Sequence, residues 1–337
     1  MQTHPPQPRR VQLDPNIAKA VATRLARGMH PSLIATQLSG LGTPDLIQAY
    51  VDKALSDPFF VGAMSIADDL RKRDWVLECQ RRAWNQQDDP RSVARRDKLA
   101  ADTFKAEFAC NQRPAVISGL VDDWPALSLW NPDYLEQKIG ADTLVEAQKG
   151  RSRVANYERA KERLRSTIPF SELAAALRSE EASNDIYVTA NNGSANRQAF
   201  DPIWSDFHEV EGYTRDAPGN DGFLWIGPKG TVTPFHHDLT NNFLIQVKGR
   251  KRVHMIPNWE EARMRTRGKI FSDWSLEDVL KAGPKGPQVM ETEIGPGDAL
   301  FIPVGWWHHI VALDESYSVL FTNFTWPNNF TNAYLPG

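Results

Sequence analysis

Apolar positions recur at helical spacing through the first third of the chain and at strand spacing through its last half. Residues 14–108 read as helical. Thr43-Pro44-Asp45 predicts a helix start, because Thr43 can cap and Pro44 suits a first turn whose N–H has no partner anyway. Leu46, Ile47, Tyr50, Val51 and Leu55 then repeat on one helical face. A second start at Ser56-Asp57-Pro58 leads into a helix through Ile66, Leu70 and Trp75. The basic residues Arg71, Lys72, Arg73, Arg81 and Arg82 decorate this stretch as a solvated face.

The pattern changes near residue 113. Arg113-Pro-Ala-Val-Ile-Ser-Gly119 is a β-branched run closed by glycine, which predicts a first strand. Helices are expected at 132–139 and 169–177. Short strands separated by Gly, Pro and Asn follow at 185–189, 223–226, 233–238, 242–248, 250–256, 288–294, 299–303, 308–312 and 317–324. So many short strands with turn signals predict a sandwich or barrel. The expected organisation is a disordered, Pro-rich tail at 1–13, a helical region at 14–108 and a strand-rich domain at 109–337.

Composition adds mainly exclusions. The chain has 337 residues and a formal net charge of −3, which gives no reason to expect a nucleic-acid or anionic-membrane partner. No apolar run reaches the ~20 residues of a membrane span, and no apolar segment of a signal peptide follows Met1. Cys79 and Cys110 have no metal-type spacing and suggest reduced thiols, so a cytoplasmic location is expected.

Candidate chemistry sits in two segments. In Thr233-Pro-Phe-His236-His237-Asp238, strand parity puts His236 and Asp238 on one face and His237 on the other. One further ligand would complete a 2-His-1-carboxylate set, the arrangement of non-haem Fe(II) oxygenases. By itself a His-x-Asp is a weak signal, as readily a surface hydrogen-bonded pair. Downstream, Asn242 and Gln246 alternate with Phe243, Ile245 and Val247, which suggests a barrel with a polar interior site and a packed outer face. Lys248-Gly249 makes a tight turn into a strand on which Lys251 is in phase with Val253 and Met255. A lysine on an apolar face either snorkels from the strand end or wants an anion. The second segment, Gly295-Pro-Gly-Asp298-Ala-Leu-Phe-Ile-Pro303-Val-Gly-Trp-Trp-His308-His309-Ile310, supplies two histidines of opposite parity, of which one can join the metal. Loops 191–221 and 258–286, holding Trp204, His208, Arg215 and Trp274, are expected to line a substrate entrance.

Over residues 105–326 these motifs resemble the JmjC and cupin-like 2-oxoglutarate oxygenases, and among them the asparaginyl hydroxylase that inhibits the hypoxia-inducible factor. The likeness rests on the Val116-Ile-Ser-Gly-Leu and Asp123-Trp-Pro opening, Val232-Thr-Pro-x-His-x-Asp, Gln246-x-Lys-Gly-x-Lys-Arg, and Gly-Pro-Gly-Asp…Ile-Pro…Trp-Trp-His-His-Ile in order and spacing. It implies a double-stranded β-helix of jelly-roll type preceded by the helical region. It also implies Fe(II) held by His236, Asp238 and His308, with 2-oxoglutarate and O₂ as cosubstrates. Lys251, aided by Thr233 and Tyr187, would pair with the distal carboxylate of 2-oxoglutarate, and Asn242 and Asn323 would lie near its metal-bound end. The implied activity is hydroxylation of a peptide or protein side chain, releasing succinate and CO₂. A free amino acid or small metabolite is the alternative substrate, and demethylation of N-methyl-lysine uses the same core. A non-catalytic, cupin-like metal-binding protein is the alternative of a different class. The hydroxylase's dimer-forming helices beyond its barrel have no counterpart here, so that dimer is not expected and a homodimer of another kind stays open.

Overall fold

A computed structural model describes residues 14–189, 194–216, 222–264 and 270–331, so the tail expected at 1–13 lies outside the described residues. The chain divides into two compact units, Met1–Trp84 and Asn85–Gly337.

In the first unit, α1 (Pro15–Ala26), α2 (Pro31–Gln37), α3 (Pro44–Ser56) and α4 (Pro58–Trp84) each begin with proline. Asp14, His30 and Thr43 cap the first three, each accepting a hydrogen bond from a backbone N–H of the first turn. Ile17, Val21, Leu25, Ile34, Ile47, Tyr50 and Val51 form the buried core of this unit. The face expected on α3 is narrower than its apolar pattern: Leu46 and Leu55 are 39% and 44% exposed. Helix α4 runs for 27 residues with none of them buried.

The second unit contains the barrel. Its strands are β1 (Ala94–Asp97), β2 (Ala115–Ser118), β3 (Leu144–Lys149), β4 (Arg165–Pro169), β5 (Ile186–Tyr187), β6 (Phe223–Gly227), β7 (Val232–His236), β8 (Asn242–Lys248), β9 (Lys251–Ile256), β10 (Met290–Ile294), β11 (Ala299–Ile302), β12 (Trp307–Ala312) and β13 (Ser316–Phe321). A six-stranded sheet runs β1-β2-β11-β8-β13-β6, a four-stranded sheet runs β10-β9-β12-β7, and β4-β3-β5 form a third. Strand β1 falls inside the stretch expected to be helical. Its sequence, Ala-Arg-Arg-Asp, carries no apolar alternation, and it is a strand because β2 offers it a parallel edge. Arg95 secures it by bonding Asp298 at 2.7 Å and the Glu293 carbonyl at 2.9 Å.

Helices α5 (Pro132–Ile139) and α6 (Phe170–Arg178) cover the outer face of the large sheet. Parity divides that sheet cleanly. Phe243, Ile245 and Val247 of β8, with Tyr317, Val319 and Phe321 of β13, join Trp124, Trp130, Leu135 and Phe170 in the main core. The alternate positions, Asn242, Leu244, Leu320 and Thr322, face a cavity inside the barrel. Long-range antiparallel pairing brings β12 between β7 and β9, opposing His308 to His236 on one side and to Met255 on the other. This Fold matches the expected double-stranded β-helix with added helices.

Candidate active site

The cavity encloses about 320 Å³ and is lined by residues from seven strands of the two barrel sheets. At one end His236, Asp238 and His308 offer ligand atoms that all lie within 4.8 Å of one another. His236 closes β7, Asp238 lies just beyond it, and His308 is cross-strand from His236 on β12. The two imidazole centroids are 4.1 Å apart, and His308 Nε2 is 3.5 Å from an Asp238 carboxylate oxygen.

Each of the three candidate ligands is oriented by a partner that suits metal binding. His236 Nδ1 is 2.9 Å from the Pro234 carbonyl and His308 Nδ1 is 3.0 Å from the Trp306 carbonyl. A carbonyl only accepts, so each Nδ1 carries the proton and each Nε2 presents its lone pair. Asn242 donates its amide N–H to the Asp238 carboxylate, and Thr240 donates to the Asn242 carbonyl oxygen at 3.0 Å. That chain leaves the other carboxylate oxygen of Asp238 for a cation. Burial, with His236 beside it, holds His308 well below the usual imidazole range, which favours the neutral form that ligates metals.

Deeper in the cavity is Lys251, 2% exposed. Its ammonium donates to Ser318 Oγ at 2.7 Å, and Ser318 donates to Gln246 Oε1 at 2.7 Å. Among the described residues no carboxylate pairs with it, and burial pushes its pKa down to about 7. Thr233 and Tyr187 lie on the same wall and are hydrogen-bonded to each other. Tyr187 is held well above the usual phenol range by burial, so its hydroxyl remains a donor. Behind it, the fully buried Arg151 lies between the rings of Tyr157 and Tyr187, at 4.4 and 4.9 Å from their centroids. Arg151 bonds Gln148 at 2.8 Å, the Val232 carbonyl at 2.5 Å and Glu158 at 2.9 Å. It thereby ties the tyrosine wall to the start of β7.

The structure brings together His236, Asp238, His308, Asn242, Lys251, Thr233 and Tyr187. It does not bring in Asn323. That residue has the parity of Val319 and Phe321, so it points out of the barrel and donates its amide to the Arg215 carbonyl; Thr322 lines the cavity instead. His237 and His309 also face outward. His237 sits edge-on to Trp307 at 4.7 Å, and His309 lies 5.4 Å from Phe235.

The expected entrance loops contribute Ile270 and Phe271, but not the four side chains singled out in them. Trp204 packs on Phe207 at 5.0 Å, His208 bonds Asp123 at 3.1 Å, and Trp274 joins an outer cluster with Phe235 and Trp307. Arg215 pairs through its backbone with Asn323. Cavity residues that the sequence had not singled out include Glu158, Lys161, Thr189, Phe223 and Trp225. Glu158 and Lys161 lie on short helical turns between β3 and β4, where no local pattern marks a side chain as inward. Only the inward parity of Phe223 and Trp225 around Leu224 was readable beforehand.

A model of the cupin-like domain matches residues 100–332, the greater part of the chain. The chain belongs to the cupin-like domain family. It is similar to lysine-specific demethylase 8 of Xenopus tropicalis, 30% identical over 65% of this chain and 49% of the relative. It is also similar to lysine-specific demethylase JMJ30 of Arabidopsis thaliana, at 28% identity over 70% of this chain and 55% of the relative. HSPB1-associated protein 1 of Homo sapiens is 28% identical over 60% of this chain and 46% of its own length. The chain thus spans about half the length of the curated relatives it matches. These comparisons support membership among the cupin-like JmjC proteins and lend nothing to the narrower resemblance to an asparaginyl hydroxylase. No helix among the described residues is long and apolar enough to cross a membrane.

Proposed function

We propose that this chain is an Fe(II)- and 2-oxoglutarate-dependent oxygenase that hydroxylates a side chain of a peptide or protein. The observation that carries the reading is Lys251, a buried ammonium that pairs with no carboxylate among the described residues and lies in the same cavity as a three-residue donor set. A buried unpaired cation is expensive, and a bound dicarboxylate would relieve it.

His236, Asp238 and His308 would hold the iron, a mixed nitrogen and oxygen set that leaves coordination positions open. Lys251, Thr233 and Tyr187 would hold the distal carboxylate of 2-oxoglutarate. When bound, iron and cosubstrate supply the oxidising chemistry: 2-oxoglutarate, O₂ and a substrate C–H give succinate, CO₂ and a C–OH. The protein's own share is orientation and exclusion of water. Asn242 fixes the Asp238 carboxylate, the two carbonyls fix the imidazoles, and Leu244, Ile302, Ile310 and Leu320 make the cavity walls apolar.

The test is turnover of 2-oxoglutarate to succinate by the purified protein with Fe(II), alone and with candidate peptides. His236→Ala is expected to abolish it and to lose tight metal binding. Succinate formation that survives His236→Ala would defeat the reading, and metal binding without turnover would leave a non-catalytic binder. The names of the relatives favour a second reading, demethylation of an N-methyl-lysine, which begins with the same hydroxylation. A peptide that gains one oxygen supports hydroxylation; one that loses a methyl group and releases formaldehyde supports demethylation. Turnover with a free amino acid, and none with peptides, would move the substrate to the small-molecule class.

A further inference from the structure

Helix α4 carries an apolar stripe that its own unit leaves uncovered. Phe60 and Met64 pack against the helical core, and they define its inner side. On the adjoining side Phe59, Ala63, Ile66, Leu70, Arg73 and Leu77 recur at alternating intervals of four and three, a heptad seam. Phe59 is 91% exposed, Ile66 65% and Leu70 51%. A soluble helix rarely leaves large apolar side chains in a continuous row facing water unless something covers them. A shallow groove on this helix is lined by Asp69, Lys72, Arg73, Val76 and Leu77.

We propose that this face is a self-association surface, on which α4 of a second copy of this chain packs antiparallel. Charge selects both the occupant and the direction. Residues 58–70 carry a net −2 and residues 71–84 a net +3, so antiparallel copies set unlike halves together. Parallel copies would oppose +3 to +3, and their helix dipoles would also be aligned. Arg73, the one charge in the seam, makes no ion pair among the described residues, nor does the neighbouring Asp69. In an antiparallel pair with its two-fold axis between residues 71 and 72, Ile66 meets Leu77 of the other copy. Leu70 then lies beside the other copy's Arg73, and that guanidinium reaches Asp69. The seam's one charge and the acid beside it are satisfied together, and by symmetry twice. At 27 residues the helix is about 40 Å long, enough for several such layers.

Sedimentation of the full chain over a concentration series, with a reductant present because Cys79 is exposed on the same helix, tests this. Wild type is expected to dimerise. Ile66→Glu and Leu70→Glu are expected to yield monomers with unchanged helix content by circular dichroism and unchanged melting. Asp69→Arg and Arg73→Glu should each weaken the dimer about tenfold or more, and the two together should restore it to within about threefold. A wild type that stays monomeric, or a dimer indifferent to Ile66→Glu and Leu70→Glu in folded protein, overturns the proposal. A double charge-swap as weak as the single variants overturns the antiparallel pairing.

Discussion

Two residues decide how the cavity is read. Lys251 is in phase with apolar neighbours and donates to the Ser318 hydroxyl, and among the described residues no carboxylate pairs with it. Lys251→Met is expected to leave the fold intact and to raise the KM for 2-oxoglutarate by about two to three orders of magnitude, the scale of an anion stranded without its buried partner. Steady-state kinetics in 2-oxoglutarate checks it. Asn242 touches Asp238 and is argued to position that ligand. Asn242→Ala should lower metal affinity about 10- to 100-fold, measured by metal titration, whereas a side chain that merely lined the cavity would change it little. Parity in the sequence separated His236 from His237 and put Asn242 on the ligand side. Asn323, which the resemblance put near the metal-bound end of the cosubstrate, instead has the outward parity of Val319 and Phe321 and bonds the Arg215 carbonyl.

At the scale of elements, local signals were sufficient where the local chemistry was strong. The helix over 132–139 and the strand over 242–248 have the boundaries that their Pro, Asn and apolar patterns predict. The hairpin between β8 and β9 depends on Gly249, which has φ +71°. A Cβ there would run into the Glu315 carbonyl as well as strain the backbone. Gly249→Ala should therefore destabilise the protein by more than about 1 kcal/mol, read from chemical denaturation. It should also lower 2-oxoglutarate affinity, because Lys251 begins the next strand. Elements β1, β3 and β4 escaped notice for the opposite reason. Their sequences are charged or interrupted, and they are strands only because neighbouring edges complete their hydrogen bonds.

Over the whole molecule, the ligand-free site should appear in the pH dependence of stability. The ordinary lysine value of 10.5 applies to the unfolded chain, and burial lowers Lys251 to about 7 in the folded one. Between these values the unfolded state binds more protons, so stability rises with pH from about 7 upward and this contribution is flat below. The difference between wild type and Lys251→Met in denaturation from pH 7 to 9 is expected to carry that slope. Bound metal and 2-oxoglutarate should remove it, since a dicarboxylate keeps the ammonium charged; calorimetry in buffers of different ionisation heat should show proton uptake on binding near pH 8. The sequence by itself determined the class of fold, the shared parity of His236 and Asp238 and the lysine on an apolar face, because period-two alternation and turn residues are local properties. Only the tertiary structure decided that β12 lies between β7 and β9, bringing His308 to His236 across 72 positions of chain. The same pairing buried Lys251 at a place where, among the described residues, no carboxylate pairs with it. Such placements depend on which distant edges pair, and no local pattern records that.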